Sequence, residues 1–354
     1  MGTNVSCRDH WIQELRGGSV DAFVALLMIQ LPNLTSLYLG PSFTRKSHLI
    51  PKVLKSMLLP HSGDDGQSDC RLHTFEQLQD VSVLYYDPDR SIINNPRNKY
   101  IRNTDDILPL FYLPSVRHIS ASVLNPVPFE WPTPRPPEPA RLVSLDLTQI
   151  REGNLGRVLS VANRLKTLRW ECFYRPDLEN DVVKPVINLD QIASDISRCE
   201  STLADLTISA LSTTSDGPEL PTLYTKGSLK PMRNFAYLRK LEAPIALLAG
   251  SFTYGGAQRL EDVLSRNIEV LTITDDLCLQ WEFALGDTEW MALFRPWLRN
   301  WKTFTPRLQR FNLLLKDMDD EWYPPMRDEL RELCAQVDVQ VDITKLEPDI
   351  GYRG

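Results

Sequence analysis

Cysteine and histidine are scarce and scattered in this chain, six and five in 354 residues. The cysteines stand at 7, 70, 172, 199, 278 and 334. No two have metal-type or redox-type spacing, which argues against a zinc module or a dithiol centre. Cys172, Cys199 and Cys334 lie near apolar runs and read as small core residues. Cysteines of that kind suit a reducing compartment, cytoplasm or nucleus. The histidines, His10, His48, His61, His73 and His118, form no HExxH or HxH pair. A nucleophile elbow GxSxG is missing. The glycine-rich GSFTYGG at 250–256 lacks the Lys-Ser/Thr of a phosphate loop and the spacing of a dinucleotide turn. No run approaches the roughly 18 to 20 apolar residues of a membrane helix, and the opening MGTNVSCRDHWIQELRGG has no apolar core of signal-peptide type. Basic excess is lacking too: net charge is −7, which speaks against a globally basic nucleic-acid binder. No catalytic, metal-binding or cofactor-binding residue is therefore assigned, no cofactor is expected, and neither nucleic acid nor membrane is expected as a partner.

What the chain does have is a spacing, Leu-x-x-Leu-x-Leu, that keeps returning. LPNLTSLYLG carries it with Leu34, Leu37 and Leu39, RLVSLDL with Leu142, Leu145 and Leu147, and STLADLTIS with Leu203, Leu206 and Ile208. Aligned anchors fall at Leu34, Leu78, Val116, Leu142, Leu165, Leu203, Leu238, Ile268 and Leu308, at intervals of 23 to 44 residues. A regular leucine-rich repeat takes roughly 20 to 29 residues, so these repeats are long and uneven. The alternating run Val337, Val339, Val341, Ile343 reads as a closing strand. In a strand, the residue between the last two apolar positions points to the opposite face. Those residues are Tyr38, Ser82, Ser120, Asp146, Arg169, Thr207, Glu242, Thr272 and Asn312, and none is aliphatic. Each unit thus reads as a strand with one buried and one solvated face.

Helical patterns separate the strands. Ser19 can cap VDAFVALLMIQ, Asn188 can cap LDQIASDISRC, and Pro324-Pro325 opens MRDELRELCAQV. SHLIPKVLKSMLL, GNLGRVLSVANRL, GAQRLEDVLSRN and TEWMALF, capped by Asp287, supply further helices. Strand–loop–helix units in series imply parallel neighbouring strands. The expected fold is α/β: a curved leucine-rich-repeat solenoid with parallel strands on the concave face and helices on the convex face. One irregular repeat domain is expected over 1–354, with repeats from about 11 to 345 and insertions near 61–72, 87–106, 124–140 and 210–228. The third insertion packs seven prolines into 14 residues from Pro126 and should be extended.

LPNLTSLYLG, LPSVRHIS, ARLVSLDLTQIREGNLGRVLSVANRLKTLRWECFY and TPRLQRFNLLL together resemble the repeat region of fungal F-box-like leucine-rich-repeat proteins, over roughly residues 10 to 345. The resemblance implies the substrate-recognition half of such a protein. It departs from the family at the helical motif that docks a ubiquitin-ligase adaptor, because nothing before Leu31 fits it. No adaptor is expected to bind this chain by itself.

The leading functional expectation is a non-catalytic scaffold for an unidentified protein partner. Its candidate binding residues are Tyr38, Asp146, Arg169, Thr207, Glu242, Thr272 and Asn312. The competing class is an enzyme or small-molecule binder using Asp146, Arg169 and Glu242, and an enclosed pocket at those residues would favour it. Elsewhere the simpler readings lead. Asp275-Asp276 and the acids from Asp317 to Glu321 read as solvated turns rather than a cation site. Trp290, Phe294, Trp297, Leu298 and Trp301 share a helical face and read as core rather than a partner patch, with Pro296 breaking or kinking that helix or sitting in the first turn of its second half. PTPRPPEP reads as a rigid insertion rather than an SH3-type ligand.

Overall fold

The computed structural model describes residues 7–40, 47, 49–59, 74–83, 107–123, 128–174, 186–212, 223–250, 258–278, 283, 287–316 and 322–346. The strands are β1 (Ser36–Tyr38), β2 (Asp80–Val83), β3 (His118–Ser122), β4 (Ser144–Thr148), β5 (Thr167–Tyr174), β6 (Val186–Asn188), β7 (Asp205–Ser212), β8 (Tyr224–Lys226), β9 (Lys240–Pro244), β10 (Val270–Thr274), β11 (Arg310–Leu315) and β12 (Gln340–Lys345). Ten of them form one sheet in the order β1-β2-β3-β4-β5-β7-β9-β10-β11-β12, and β6 pairs with β8 in a second, two-stranded sheet. Every pairing is parallel. A parallel neighbour has to be reached by a crossover connection, which accounts for the long segments between strands.

Helices α1 (Cys7–Arg16) and α2 (Val20–Ile29) precede β1, and the connections carry α3 (Leu49–Leu58), α4 (Asn154–Leu159), α5 (Leu189–Ile196), α6 (Ile245–Ala249), α7 (Leu260–Val263), α8 (Asp287–Arg299), α9 (Trp301–Phe304) and α10 (Pro324–Gln336). Two of the three expected caps are in place, whereas Asp287 is itself the first residue of α8. Ser19 accepts from the Ala22 N–H at 3.5 Å and Asn188 accepts from the Gln191 N–H at 3.3 Å, so each satisfies a backbone donor that the first helical turn leaves unbonded. Asp21 of α2 does the same for its neighbour, accepting the Leu49 N–H at the start of α3 at 2.8 Å. Pro324 and Pro325 occupy the first turn of α10, where proline's missing N–H costs nothing.

The repeat leucines build a single ladder. Leu37, Val81, Ile119, Leu145, Leu168, Leu206, Leu241, Leu271 and Phe311 stand opposite one another, strand by strand. All nine are buried. They join the inward residues of the helices in one apolar cluster. Trp290, Phe294, Trp297 and Leu298 belong to that cluster and are fully enclosed, with edge-to-face contacts from Phe294 and Trp297 to Phe311. The four are core residues.

Several expectations need correction. Helix α8 runs through Pro296 without interruption. The closing strand begins at Gln340, because Val337 caps α10 and Asp338 takes a left-handed φ of +58°. The insertion expected over 210–228 contains the end of β7 and all of β8. Three-residue strands such as β6 and β8 are too short to show an alternation. The insertions at 61–72 and 87–106 lie outside the described residues. The described part of the proline segment, read as a rigid insertion, is docked. Pro137 and Pro139 are buried, the Tyr112 hydroxyl donates to the Arg135 carbonyl at 2.9 Å, and Trp131 meets Phe111, Tyr112 and Phe129 edge to face.

Candidate functional site: the open strand face

Period-two alternation dictates that the ladder's neighbours in sequence point away from the helices. They form a second continuous row: Tyr38, Ser82, Ser120, Asp146, Arg169, Thr207, Glu242, Thr272, Asn312 and Asp342 occupy one register level across all ten strands. All seven candidate binding residues are therefore in this row. They are not one compact site. Strands lie about 4.8 Å apart, so Tyr38 and Asn312, eight strand steps apart in the sheet order, are separated by roughly 38 Å. Asp146, Arg169, Thr207 and Glu242 are the contiguous centre, on β4, β5, β7 and β9.

The row is less uniformly solvated than the alternation predicts. Tyr38 is 71% exposed, whereas Thr272 is only 7% exposed. Asn312 Nδ2 donates to Thr272 Oγ1 at 3.1 Å, and the chain just past β10 turns back toward the sheet. Asp146 and Glu242 are half-buried. Burial raises the Asp146 carboxyl above its ordinary value of 3.8, and Arg169 pulls it partly back. Burial also raises Glu242 above 4.5; Arg169 opposes this and Asp276 adds to it. Arg169 itself is exposed, and among the described residues its side chain makes no hydrogen bond and no ion pair within 4 Å.

At the start of the strands, His118 Nδ1 contacts Asp80 Oδ1 and the Ser36 hydroxyl donates to Asp80 Oδ2 at 3.3 Å. This ties β1, β2 and β3 together on the open face. At the other end, Asp275 and Asp276 are buried, contrary to the solvated-turn reading. Both Asp275 oxygens accept the Lys316 N–H, at 3.0 and 2.8 Å. Asp276 accepts the Ala210 N–H at 3.1 Å and the Lys316 ammonium at 2.8 Å. β7 pairs with β9 only over Asp205–Thr207, while β9 runs on to Pro244 beside β10; Asp276 supplies the acceptor that the Ala210 N–H does not find on β9.

Two features went unmarked in the sequence reading. The turn after β4 places Arg151 and Glu152 in the interior as a buried ion pair. Helix α2 is apolar nearly all round: Ala22, Ala25 and Met28 are buried, while Val20, Phe23 and Leu27 are more than half exposed. Its single charge, Asp21, was the available signal. A pocket of about 450 Å³ opens between Pro136–Ala140 and the turn from Ser160 to Arg164. None of Asp146, Arg169 or Glu242 lines it. Among the described residues no group of three His, Cys, Asp or Glu is arranged to hold a metal ion, and no helix is long and apolar enough to cross a membrane.

Half-buried acids of this kind oppose folding once ionised. A carboxyl whose folded pKa lies above its unfolded value takes up a proton on folding. Its favourable contribution is then present at low pH and lost as pH rises from the ordinary carboxylate value through the raised folded one. Asp146→Asn and Glu242→Gln should therefore leave the protein as stable as the parent, or more so, at pH 7, with the difference shrinking toward about pH 4. Urea unfolding across that range checks this. A loss of stability at pH 7 would mark the two carboxylates as structural partners instead.

A family model described as a leucine-rich repeat domain matches residues 2–148. The match closes at the last residue of β4, and strands β5, β7, β9, β10, β11 and β12 continue the same register beyond it. No curated protein and no solved structure matches the chain.

Proposed function

We propose that this protein is a non-catalytic, protein-binding leucine-rich-repeat scaffold, and that its open strand face receives the partner. In this reading the sheet and helices form one curved solenoid, concave on the strand side, across the whole chain. The observation that carries it is the polar row running in register opposite a continuous apolar ladder. Ladder and row divide the labour: the first holds the repeats together and the second leaves half-buried, uncommitted charges facing outward. The leucine-rich-repeat match over residues 2–148 supports the same reading. The partner is a protein rather than nucleic acid or membrane, and the compartment is the cytoplasm or nucleus. The pattern shared with F-box-like proteins makes substrate recognition for ubiquitin ligation the process we favour. No residue here is assigned to adaptor docking.

Affinity purification from the native source tests the reading. Arg169→Glu combined with Glu242→Arg should remove the co-purifying partner, whereas Arg97→Glu combined with Arg102→Glu should retain it. Arg97 and Arg102 lie outside the described residues and serve as the loop comparison. If both variants keep their folded circular-dichroism signal and only the loop pair loses the partner, the open-face assignment fails.

A further inference from the structure

The centre of the open face has a charge order as well as a shape. Asp146, Arg169, Thr207 and Glu242 sit on four adjacent strands at one register level, giving the sequence acid, base, hydroxyl, acid. Among the described residues no side chain of the four makes a hydrogen bond or an ion pair within 4 Å. Elsewhere Asp80 is engaged by His118 and Ser36, and Asp276 by Lys316. One level below, Asp205 and Lys240 stand opposite each other on neighbouring strands, so each has a charge of opposite sign beside it. What remains is an acid–base–acid line whose charges influence one another but make no direct side-chain contact.

The dimensions of that line match an extended peptide. Three strand steps separate Asp146 from Glu242, about 14 Å at a spacing of about 4.8 Å. An extended chain rises about 3.4 Å per residue and presents every second side chain to the same side. Positions i and i+4 of such a segment are therefore also about 14 Å apart, and i+2 falls midway, above the step from Arg169 to Thr207. Resting on the open-face reading above, we infer that this row binds an extended partner segment of the pattern Lys/Arg-x-Asp/Glu-x-Lys/Arg, lying across the strands. The first cation meets Asp146, the central carboxylate meets Arg169 with the Thr207 hydroxyl beside it, and the last cation meets Glu242. Charge complementarity of this kind sets register and rejects wrong partners more than it adds raw affinity. The half-burial of both acids strengthens each pair relative to a fully solvated one.

The test uses the full chain and two fluorescent peptides, one centred on Lys-x-Glu-x-Lys and one with every charge inverted. In fluorescence anisotropy at low salt, the parent should favour the first peptide by about tenfold. The triple variant Asp146→Lys, Arg169→Glu, Glu242→Lys should reverse that preference. Added salt should weaken both interactions, since the pairs are only partly shielded from solvent. Reversal of preference is the supporting result. Equal binding of the two peptides, or binding of neither, overturns the pattern. The triple variant in the native purification separates the two levels of the argument. If it loses the native partner while the peptides show no preference, the charge pattern is wrong and the open-face scaffold stands. If it keeps the native partner as well, both fall.

Discussion

Leu206→Ala is expected to lower the unfolding free energy by about 2 to 5 kcal/mol. Leu206 is fully buried on β7, with Leu168 of β5 on one side and Leu241 of β9 on the other. Its truncation removes apolar contact from two neighbouring repeats at once. The backbone there is fixed by parallel pairing on both sides, so the cavity has little means of collapsing, and the cost should lie well above simple transfer of the lost carbons to water. Leu145→Ala should behave alike, since Leu145 is equally enclosed between Ile119 and Leu168. The control is one residue away. Asp146→Ala removes a carboxylate that faces the open side, and its cost should be far smaller. Equilibrium urea unfolding of the pair decides the register. If Asp146→Ala is the more damaging of the two, every strand assignment is displaced by one position, because a one-residue slip exchanges the two faces.

The ladder was legible because its signal repeats. Any one Leu-x-x-Leu-x-Leu is weak, but nine copies with a non-aliphatic residue at the same offset leave one register open, and the pairings follow it from Leu37 to Phe311. Interior polar groups gave no such signal. Asp275-Asp276 and Arg151-Glu152 each follow a strand, where charged residues usually mean a solvated turn. Their burial depends on what other repeats leave unsatisfied: the Ala210 N–H beyond the end of the β7–β9 pairing, or the Asn188 N–H at the start of another helix. Those demands arise 66 and 36 residues away in sequence, beyond the reach of local pattern. Pro296 shows the opposite error. Its local rule predicts a break, but the helix around it is held by Trp290, Phe294 and Trp297 in the core, and packing outweighs the lost hydrogen bond. At the binding row, the sequence carried the residue types and their order, while their separation and half-burial needed the sheet.

Arg151→Ala should be as costly as any ladder substitution, at about 3 to 5 kcal/mol. Arg151 is 2% exposed, and its Nε and Nη2 donate to the two carboxylate oxygens of Glu152 at 3.1 and 3.4 Å. Its guanidinium carbon lies 3.9 Å from the centre of the Tyr174 ring, a cation–π contact strengthened by exclusion of water. Burial alone would pull the Arg151 pKa down, but Tyr174 and Glu152 together more than offset it. Glu152 in turn accepts from the Tyr174 hydroxyl at 3.4 Å and from the Asn188 N–H at 3.2 Å, linking the turn after β4 to β5 and to the start of α5. Removing the arginine strands the glutamate as a buried, uncompensated anion, which is the expensive way to break such a pair. Replacing both partners by apolar residues of similar size, Arg151→Met with Glu152→Leu, should therefore cost less than the single change. It should still fall short of the parent, because the Asn188 N–H loses its acceptor, a penalty of about 1 to 3 kcal/mol. Urea unfolding of the single and double variants measures the ordering directly. A double variant less stable than Arg151→Ala would show that Glu152 holds β5 and α5 in place on its own, with the arginine serving only to neutralise it.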